Sequence, residues 1–186
     1  MTIIEDMNNK PDKHKVKNAY FDKNGIDVVR QRLPVGDYVL MNDKMKDVFD
    51  RKAKRGIPVK MMDLVGTYTV AVDSKNSIQE LCGDICGKSH ERFRDECILA
   101  MNNGIQLIIL VENEDGITQL SELHKWVNPR LFIRERGGRQ KYPNATRGVT
   151  LMKACYTIQK KYGTQFLFVN PKDAGAKIVE LLGGQV

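Results

Sequence analysis

The chain has 186 residues, enough for one domain with a substantial core, and an apolar fraction of 41% argues against disorder throughout. Lysine and arginine outnumber aspartate and glutamate by 30 to 23, and the net charge of +7 favours a polyanionic partner, nucleic acid first. The alternative is a basic, soluble protein without such a partner. The longest apolar run, residues 105–111, is too short to span a membrane, and the N-terminus does not resemble a signal peptide, so we expect no membrane association.

The four cysteines form no CxxC pair, which is the commonest spacing in metal and redox sites. Cys82, Cys86 and His90 recur at four-residue intervals and could in principle form a zinc-binding face. The two cysteines, however, lie on the apolar stripe of a predicted helix, and the usual zinc spacings are missing. We therefore expect free thiols and a reducing, cytoplasmic setting.

The first forty residues alternate between strand and helix patterns. Residues 2–6 predict a short strand that ends in acids, and residues 14–21 predict a helix. That helix places three apolar residues on one face: Val16, Ala19 and Tyr20. Residues 26–33 predict a second strand, and a tight connection at 34–36 leads into a returning strand at 37–41.

Residues 42–66 are the least regular stretch of the chain. Glycine and proline interrupt it, and it carries seven basic residues: Lys44, Lys46, Arg51, Lys52, Lys54, Arg55 and Lys60. One interpretation is an arm or flap that contacts a nucleic acid backbone, with Lys52 and Arg55 as candidates. The other is a solvated loop, since charged loops are common on any protein surface.

A carboxylate and an ammonium stand side by side after the β-prone run at residues 68–72. Asp73 and Lys75 are two positions apart, so on a strand both side chains project from the same face. A carboxylate can hold a divalent cation, and a neighbouring ammonium can orient a water or stabilise developing negative charge. Asp37, on another predicted strand, could complete a metal site. This is the arrangement that a metal-dependent nuclease needs.

Two helices and a buried strand follow. Residues 77–80 fit a capping box at the start of a helix over 78–86, and a second helix is predicted at 89–103. The outward face of the second helix includes some of four charged residues: Arg92, Arg94, Asp95 and Glu96. Residues 105–111 are apolar on both faces, which is typical of a central parallel strand.

The remainder contains a second basic segment. Residues 118–126 are predicted helical, and 128–148, rich in arginine, glycine and proline, are predicted to form a loop. Guanidinium groups pair with phosphate in a bidentate way, so clustered arginines favour phosphate contact. The candidates are Arg134, Arg136 and Arg139. The alternative is a disordered surface loop. Helices at 149–161 and 172–182 flank a strand at 165–169.

Strands that alternate with helices late in the chain indicate an α/β fold, and the early meander indicates a mixed sheet. The sequence shows no internal repeat and no second domain. We therefore expect a single domain over residues 1–186, with its core at about 2–112, a basic insertion at about 42–66, and a C-terminal helical and strand extension at about 118–186.

Several of these segments together resemble a known family. LPVGDY at residues 33–38 resembles the LxVGDY/F signature of the XPF/Mus-type structure-specific endonuclease domain, a PD-(D/E)xK nuclease. VAVDSK at 70–75 resembles that family's ERK strand, IQEL at 78–81 matches the following helix, and residues 92–112 resemble its next helix and strand. The resemblance covers most of residues 2–112 and is closest to small stand-alone versions from phages and bacteria.

The resemblance implies a restriction-endonuclease-like core, in which a mixed central β-sheet is flanked by helices. It also implies that Asp37 and Asp73 ligate Mg²⁺ or Mn²⁺ and that Lys75 is the catalytic lysine. Asp6 stands where the family often has an acid that supports the metal site, and Glu5 competes for that role. The implied activity is phosphodiester hydrolysis in DNA, in repair or recombination.

The sequence departs from the family pattern at three positions near the site. Asp73 replaces the family's glutamate, Ser74 replaces its arginine and should point to the opposite face, and Gln79 stands where an aspartate is often found. These departures motivate an alternative function, a catalytically weak or inactive nuclease-fold module that binds DNA or another macromolecule.

The implied partner is branched or duplex DNA. Arg92 and Arg94 of the second helix, with the two basic segments, would hold its backbone. Because backbone contacts carry little sequence information, we expect selection of a branch, flap or junction by shape. The family also suggests a homodimer, for which the exposed side of the C-terminal helices is the expected surface, in the cytoplasm of a phage or bacterial host.

Overall fold

The strands form one mixed sheet in the computed structural model of the chain, which describes residues 1–8 and 14–183. In chain order they are β1 (Thr2–Glu5), β2 (Asp27–Arg30), β3 (Tyr38–Leu40), β4 (Val70–Lys75), β5 (Gln106–Glu112) and β6 (Gln165–Val169). Their order across the sheet is β2-β1-β3-β4-β5-β6. β1 is parallel to β2 and antiparallel to β3, which is antiparallel to β4; β4, β5 and β6 run parallel.

Helices cover both faces of this sheet. They are α1 (Lys15–Lys23), α2 (Asp43–Lys54), α3 (Ile78–Cys86), α4 (His90–Asn102), α5 (Gly148–Tyr162) and α6 (Ala174–Leu181). α1 and α6 pack on one face, whereas α2, α3, α4 and α5 contribute to the core on the other. In the part of the chain that the structure describes, none of the helices has the length and apolar character needed to cross a membrane.

The alternation along β4 and β5 divides the interior into two cores. On β5, Leu107, Ile109 and Val111 face the larger core, and Ile108 and Leu110 face the smaller one, all of them buried. Each such side chain contributes roughly 1.5–3 kcal/mol by leaving water. This two-sided burial is what the apolar run at 105–111 predicts, and the predicted α/β fold with a mixed sheet flanked by helices is confirmed.

The prediction of an irregular arm at residues 42–66 is wrong, because α2 occupies half of it. The Asn42 side chain caps this helix by accepting a hydrogen bond from the Met45 backbone N–H at 3.0 Å. Met45 and Val48, three positions apart, are buried in the larger core. Their burial determines the local structure, and the basic residues occupy the solvent side of an ordered helix. A 3₁₀ helix, Met61–Leu64, follows.

Three other elements differ from their predictions. The helix expected at 118–126 is a 3₁₀ helix, Leu120–Lys125. The strand expected at 26–33 is only β2, which lies at the sheet edge and pairs with β1. In α1 the buried residues are Lys17 and Phe21, whereas Val16, expected inward, is 60% exposed. Because Lys17 lies on the buried face of α1, hydrophobicity alone assigns the wrong face of this helix to the core.

Candidate active site

The ends of β1 and β4 and the residue before β3 meet at a cavity of about 350 Å³. Six acidic side chains line it: Asp6, Asp37, Asp73, Glu80, Asp95 and Glu96. The basic residues of the lining are Lys75 and Arg92. The three carboxylates and the lysine predicted from the sequence therefore lie around one space with an excess of negative charge, which suits a cation or a cationic group.

Backbone hydrogen bonds fix Asp37 in this cavity. Its N–H donates to the carbonyl of Val72 at 2.8 Å, and its carbonyl accepts from the Asp6 N–H at 2.8 Å. Its carboxylate accepts the backbone N–H of Ser74 at 2.9 Å. The side chain of Asp37 is thus tied to β4 between the two residues, Asp73 and Lys75, that point into the cavity.

The turn before Asp37 requires glycine. Gly36 has a φ of +79°, and a Cβ added there would lie 2.8 Å from the Ala71 Cβ on β4. The close approach of this turn to β4 brings Asp37 up to Asp73 and Lys75. The Gly36 N–H also donates to Glu96 Oε1 at 2.9 Å, which ties α4 to the same turn.

Lys75 lies between two carboxylates. Its Nζ is 2.7 Å from Asp73 Oδ2 and 2.9 Å from Asp84 Oδ2, and all three side chains are at most 10% exposed. Burial alone would lower the pKa of Lys75, but the charges of Asp73 and Asp84 raise it above its ordinary value on balance. The lysine therefore stays protonated at neutral pH and acts as a fixed positive charge rather than as a base.

Two carboxyl groups of the cavity hold protons more tightly than usual. Burial raises the pKa of Asp73 to about 6, with Lys75 opposing and Asp37 adding to the shift. Burial, followed by the charge of Asp73, raises the pKa of Glu96 to about 7. Crowded carboxylates with raised pKa values are frequent at functional sites, because like charges resist ionising together.

The structure places Asp6, rather than Glu5, at the cavity. The Asp6 carboxylate accepts the backbone N–H of Leu33 at 3.0 Å and lines the same space as Asp37 and Asp73. Glu5 is one position earlier on β1 and faces the opposite side of the sheet, where its Oε2 lies 3.8 Å from Arg30 Nε. Because successive side chains of a strand point to opposite faces of the sheet, Asp6 reaches the cavity and Glu5 does not.

Sequence reasoning missed two residues of the site. Asp84, on α3, is buried and pairs with Lys75, and Glu96, on α4, accepts the Gly36 N–H, a role that the sequence did not assign to it. Asp84 had a usable signal, since Glu80 and Asp84 are four apart on the helix that directly follows the strand of Asp73 and Lys75. Glu96 had none, because its partner, the Gly36 N–H, is 60 residues away.

The seven basic residues predicted to contact DNA occupy four places. Arg92 lines the acidic cavity, with a largely exposed side chain 3.4 Å from Asp84. Lys52 and Arg55 line a separate groove beside α2, where Lys52 Nζ pairs with Asp63 at 2.8 Å. Arg94 lines a groove between α4 and α5. The other three are on an exposed hairpin: Arg134, Arg136 and Arg139.

The fit of a divalent metal rests on the type and charge of the donors. Within residues 1–8 and 14–183, no three histidine, cysteine, aspartate or glutamate side chains converge closely enough to form a metal cage. Mg²⁺ rarely uses such a cage: it prefers one or two carboxylates together with waters and substrate phosphates. Asp37 and Asp73 supply two hard oxygen donors in a cavity with surplus negative charge, so the residues present fit such an ion.

A second buried polar cluster lies behind the site, on the opposite face of the sheet. Lys17 of α1 forms a buried ion pair with Glu112 at the end of β5 and donates to Asn76 Oδ1 at 3.2 Å. The Ser74 hydroxyl donates to the same Glu112 carboxylate at 3.2 Å. Ser74 thus links the two faces of β4, since its side chain joins this cluster and its N–H binds Asp37.

The raised pKa of Glu96 predicts a pH dependence of stability in EDTA. Glu96 binds its proton more tightly in the fold than in the unfolded chain, where its ordinary value is 4.5. It therefore contributes stability that is complete below that value and is lost as the pH rises through about 7, a change of about 3 kcal/mol. Urea unfolding of the wild type and Glu96→Gln across this range measures it. The variant should lose less stability, and identical pH profiles would contradict the assignment.

Comparisons with known proteins agree with this geometry. A family model described as the ERCC4 domain matches residues 6–182. XPF from Aeropyrum pernix in complex with DNA is 16% identical with a TM-score of 0.52, over 97% of this chain and 62% of that one. A further structure of XPF from Aeropyrum pernix is 17% identical with a TM-score of 0.53, over 97% and 64%. The chain thus spans less than two thirds of either XPF chain, and no curated protein matches it.

Proposed function

Because the chain belongs to the ERCC4 domain family, we propose that it is a metal-dependent DNA endonuclease that hydrolyses phosphodiester bonds. The family membership and the XPF fold confirm the resemblance on which the prediction rested. The observation that carries the proposal is the cavity in which Asp37, Asp73 and Lys75 meet, because it supplies carboxylate oxygens for a cation and a charged lysine in one place.

In this proposal Asp37 and Asp73 hold Mg²⁺ or Mn²⁺, and Asp6 supports them from the end of β1. A bound divalent ion lowers the pKa of a water and polarises the phosphate. The backbone N–H of Ser74 orients the Asp37 carboxylate, and Asp6 is fixed by the Leu33 N–H. The ligands are therefore positioned by the backbone of two strands and of the Gly36 turn.

Lys75 positions the attacking water or stabilises the charge that develops on the phosphate. Its pairing with Asp73 and Asp84 keeps the ammonium charged and holds it against α3. Asp84 acts through Lys75, so it is a positioning residue. Arg92, which lines the same cavity and is largely exposed, is the cation proposed to hold the DNA backbone there.

DNA is the proposed substrate, selected by the shape of a branch, flap or junction. The support is the net charge of +7 and the dispersal of the proposed backbone contacts over several surfaces: Lys52, Arg55, Arg92, Arg94, Arg134, Arg136 and Arg139. Contacts of this type read phosphate rather than bases. One of the similar XPF structures is a complex with DNA.

Incubation with branched and linear DNA in Mg²⁺, Mn²⁺ or EDTA tests the proposal. We expect cleavage with either metal, none in EDTA, and a preference for the branched substrate. Metal-independent cleavage would contradict the role of Asp37 and Asp73. An absence of cleavage with every metal and substrate would overturn the nuclease assignment.

The second candidate function is a nuclease-fold module that binds DNA with little or no catalysis. The observation in its favour is the pairing of Lys75 with Asp73, which occupies one oxygen of a proposed metal ligand. Tight binding of DNA that stays uncut in Mg²⁺ and Mn²⁺ would support this candidate. A lack of binding even at low salt would favour an interaction protein with another partner.

Three further parts of the proposal concern the whole molecule. We propose one domain over residues 1–186, a homodimer formed through the C-terminal helices, and an intracellular setting, in agreement with four free cysteines. Sedimentation at high concentration addresses the dimer, and a monomer under all conditions would remove it.

A further inference from the structure

The segment that joins Trp126 to α5 is a strongly basic surface feature. Residues 128–147 contain six cationic residues and one acidic residue, Glu135, for a net charge of +5. Two large apolar side chains are exposed among them: Phe132 at 69% and Ile133 at 43%. Exposed aromatic and aliphatic groups in a cationic setting are unusual on a surface that meets only water.

The loop predicted from the composition contains a short hairpin, residues 133–141, held by one β-bridge between Arg134 and Gln140. The backbone N–H of Glu135 donates to the carbonyl of Arg139 at 2.8 Å, and the N–H of Lys141 donates to that of Ile133 at 2.9 Å. The Gln140 side chain closes the base of the hairpin by donating to the Leu131 carbonyl at 2.6 Å. Its side chains are therefore presented from a defined backbone, which reduces the ordering cost of binding.

The segment that carries the hairpin is anchored to α3, the helix that carries Glu80 of the cavity and Asp84, the partner of Lys75. The buried side chain of Asn128 donates to the Thr146 carbonyl at 2.9 Å and lies 4.0 Å from Cys82 Sγ on α3. Two residues earlier on α3 is Glu80, which lines the acidic cavity. The hairpin and the candidate active site thus share α3 as a common support.

A recess at the hairpin base combines an aromatic ring with two cations. Tyr142, 39% exposed, has the Arg130 guanidinium carbon 5.8 Å and the Lys141 Nζ 5.5 Å from its ring centroid. The recess has a volume of about 310 Å³, and Pro143 and Asn144 also line it. Both cations lie over the ring, and a flat ring together with two phosphate-binding side chains matches the two halves of a nucleotide, a base and its phosphate.

We propose that this recess binds one unpaired nucleotide of a DNA strand. Its base replaces these cations over the ring of Tyr142, and Arg130 and Lys141 turn from the ring to pair with its phosphate. In a duplex both faces of each base are covered by stacked neighbours, so the recess accepts a base only where a strand is unpaired. The inference rests on the proposed function. If the protein is a DNA endonuclease, this recess gives a physical reason why it would prefer branched DNA to continuous duplex DNA.

Binding measured in EDTA, where no strand is cut, tests the inference independently of catalysis. The probes are an oligothymidine with one central 2-aminopurine and a fully paired duplex of the same length. Tyr142→Ala should lose about tenfold in affinity for the single strand and should abolish the quenching of 2-aminopurine, whereas Tyr142→Phe should retain both. Affinity for the duplex should change by less than about twofold.

Tyr156→Ala is the matched control, because Tyr156 is 44% exposed on α5 and does not line the recess. It should bind both probes like the wild type. Equal losses on single strand and duplex, or wild-type binding by Tyr142→Ala, would overturn the inference. A change in self-association with unaltered DNA binding would do the same and would assign the surface to another copy of the chain. Because binding is measured in EDTA, this result does not depend on whether the protein cleaves DNA in the metal experiment. A failure of the proposed nuclease activity and a failure of the proposed nucleotide recess are therefore distinguishable.

Discussion

Replacing Asp73 with asparagine is expected to abolish DNA cleavage while the protein remains folded and bound to DNA. Asparagine keeps the shape of the side chain but removes the charge that holds a divalent cation, so we expect a loss of about a thousandfold or more in the cleavage rate. A gel assay with branched DNA in Mg²⁺ measures it. Stability in EDTA should not fall, because burial already raises the pKa of Asp73 and disfavours its charged form.

The control for Asp73→Asn is Asp115→Asn, the same substitution at an exposed acid after β5. It should cleave at the wild-type rate. Undiminished cleavage by Asp73→Asn would contradict its assignment as a metal ligand. A parallel loss of DNA affinity or of the folded state would instead show that the substitution acts through structure, so binding and thermal unfolding are measured on the same preparation.

The shared position of Asp73 and Lys75 at the cavity could be predicted because its information is local. Asp73 and Lys75 are two apart on a strand, so their shared face follows from the period of the backbone alone. The same rule, applied to β1, separates Asp6 from Glu5 once the pairing of the sheet is known. Asp37 could be named only as a carboxylate on another predicted strand, since its approach to β4 depends on the φ of +79° at Gly36.

The arm at 42–66 was mispredicted for a different reason. Its basic residues dominate the composition and conceal the spacing of Met45 and Val48, which are three apart on one face of α2. Asn42 as a capping residue was a second readable signal. The spacing of Met45 and Val48 and the cap at Asn42 both predict a helix, whereas the basic composition suggests an irregular segment.

Long-range polar pairs are the part that no local pattern predicts. Lys17 looks like a solvent-exposed residue of an amphipathic helix, yet its side chain is 2% exposed and pairs with Glu112, 95 residues away. Which lysine is buried depends on which acid the folded sheet brings beneath the helix. The same holds for Glu96 and the Gly36 turn.

Lys17→Met should be among the most destabilising single substitutions in the chain. Methionine has a similar length but cannot pair with Glu112, so a buried carboxylate loses its cation, at a cost of about 3–5 kcal/mol. Urea unfolding should show this loss. Lys23→Met, an exposed lysine in the last turn of the same helix, should change stability by less than about 0.5 kcal/mol.

A double variant separates loss of the ion pair from poor packing of methionine. Glu112→Gln removes the charge that Lys17→Met leaves unpaired and keeps an acceptor for the Ser74 hydroxyl. The combined variant should therefore recover at least half of the stability lost by Lys17→Met alone. Additive losses would mean that the two side chains act independently.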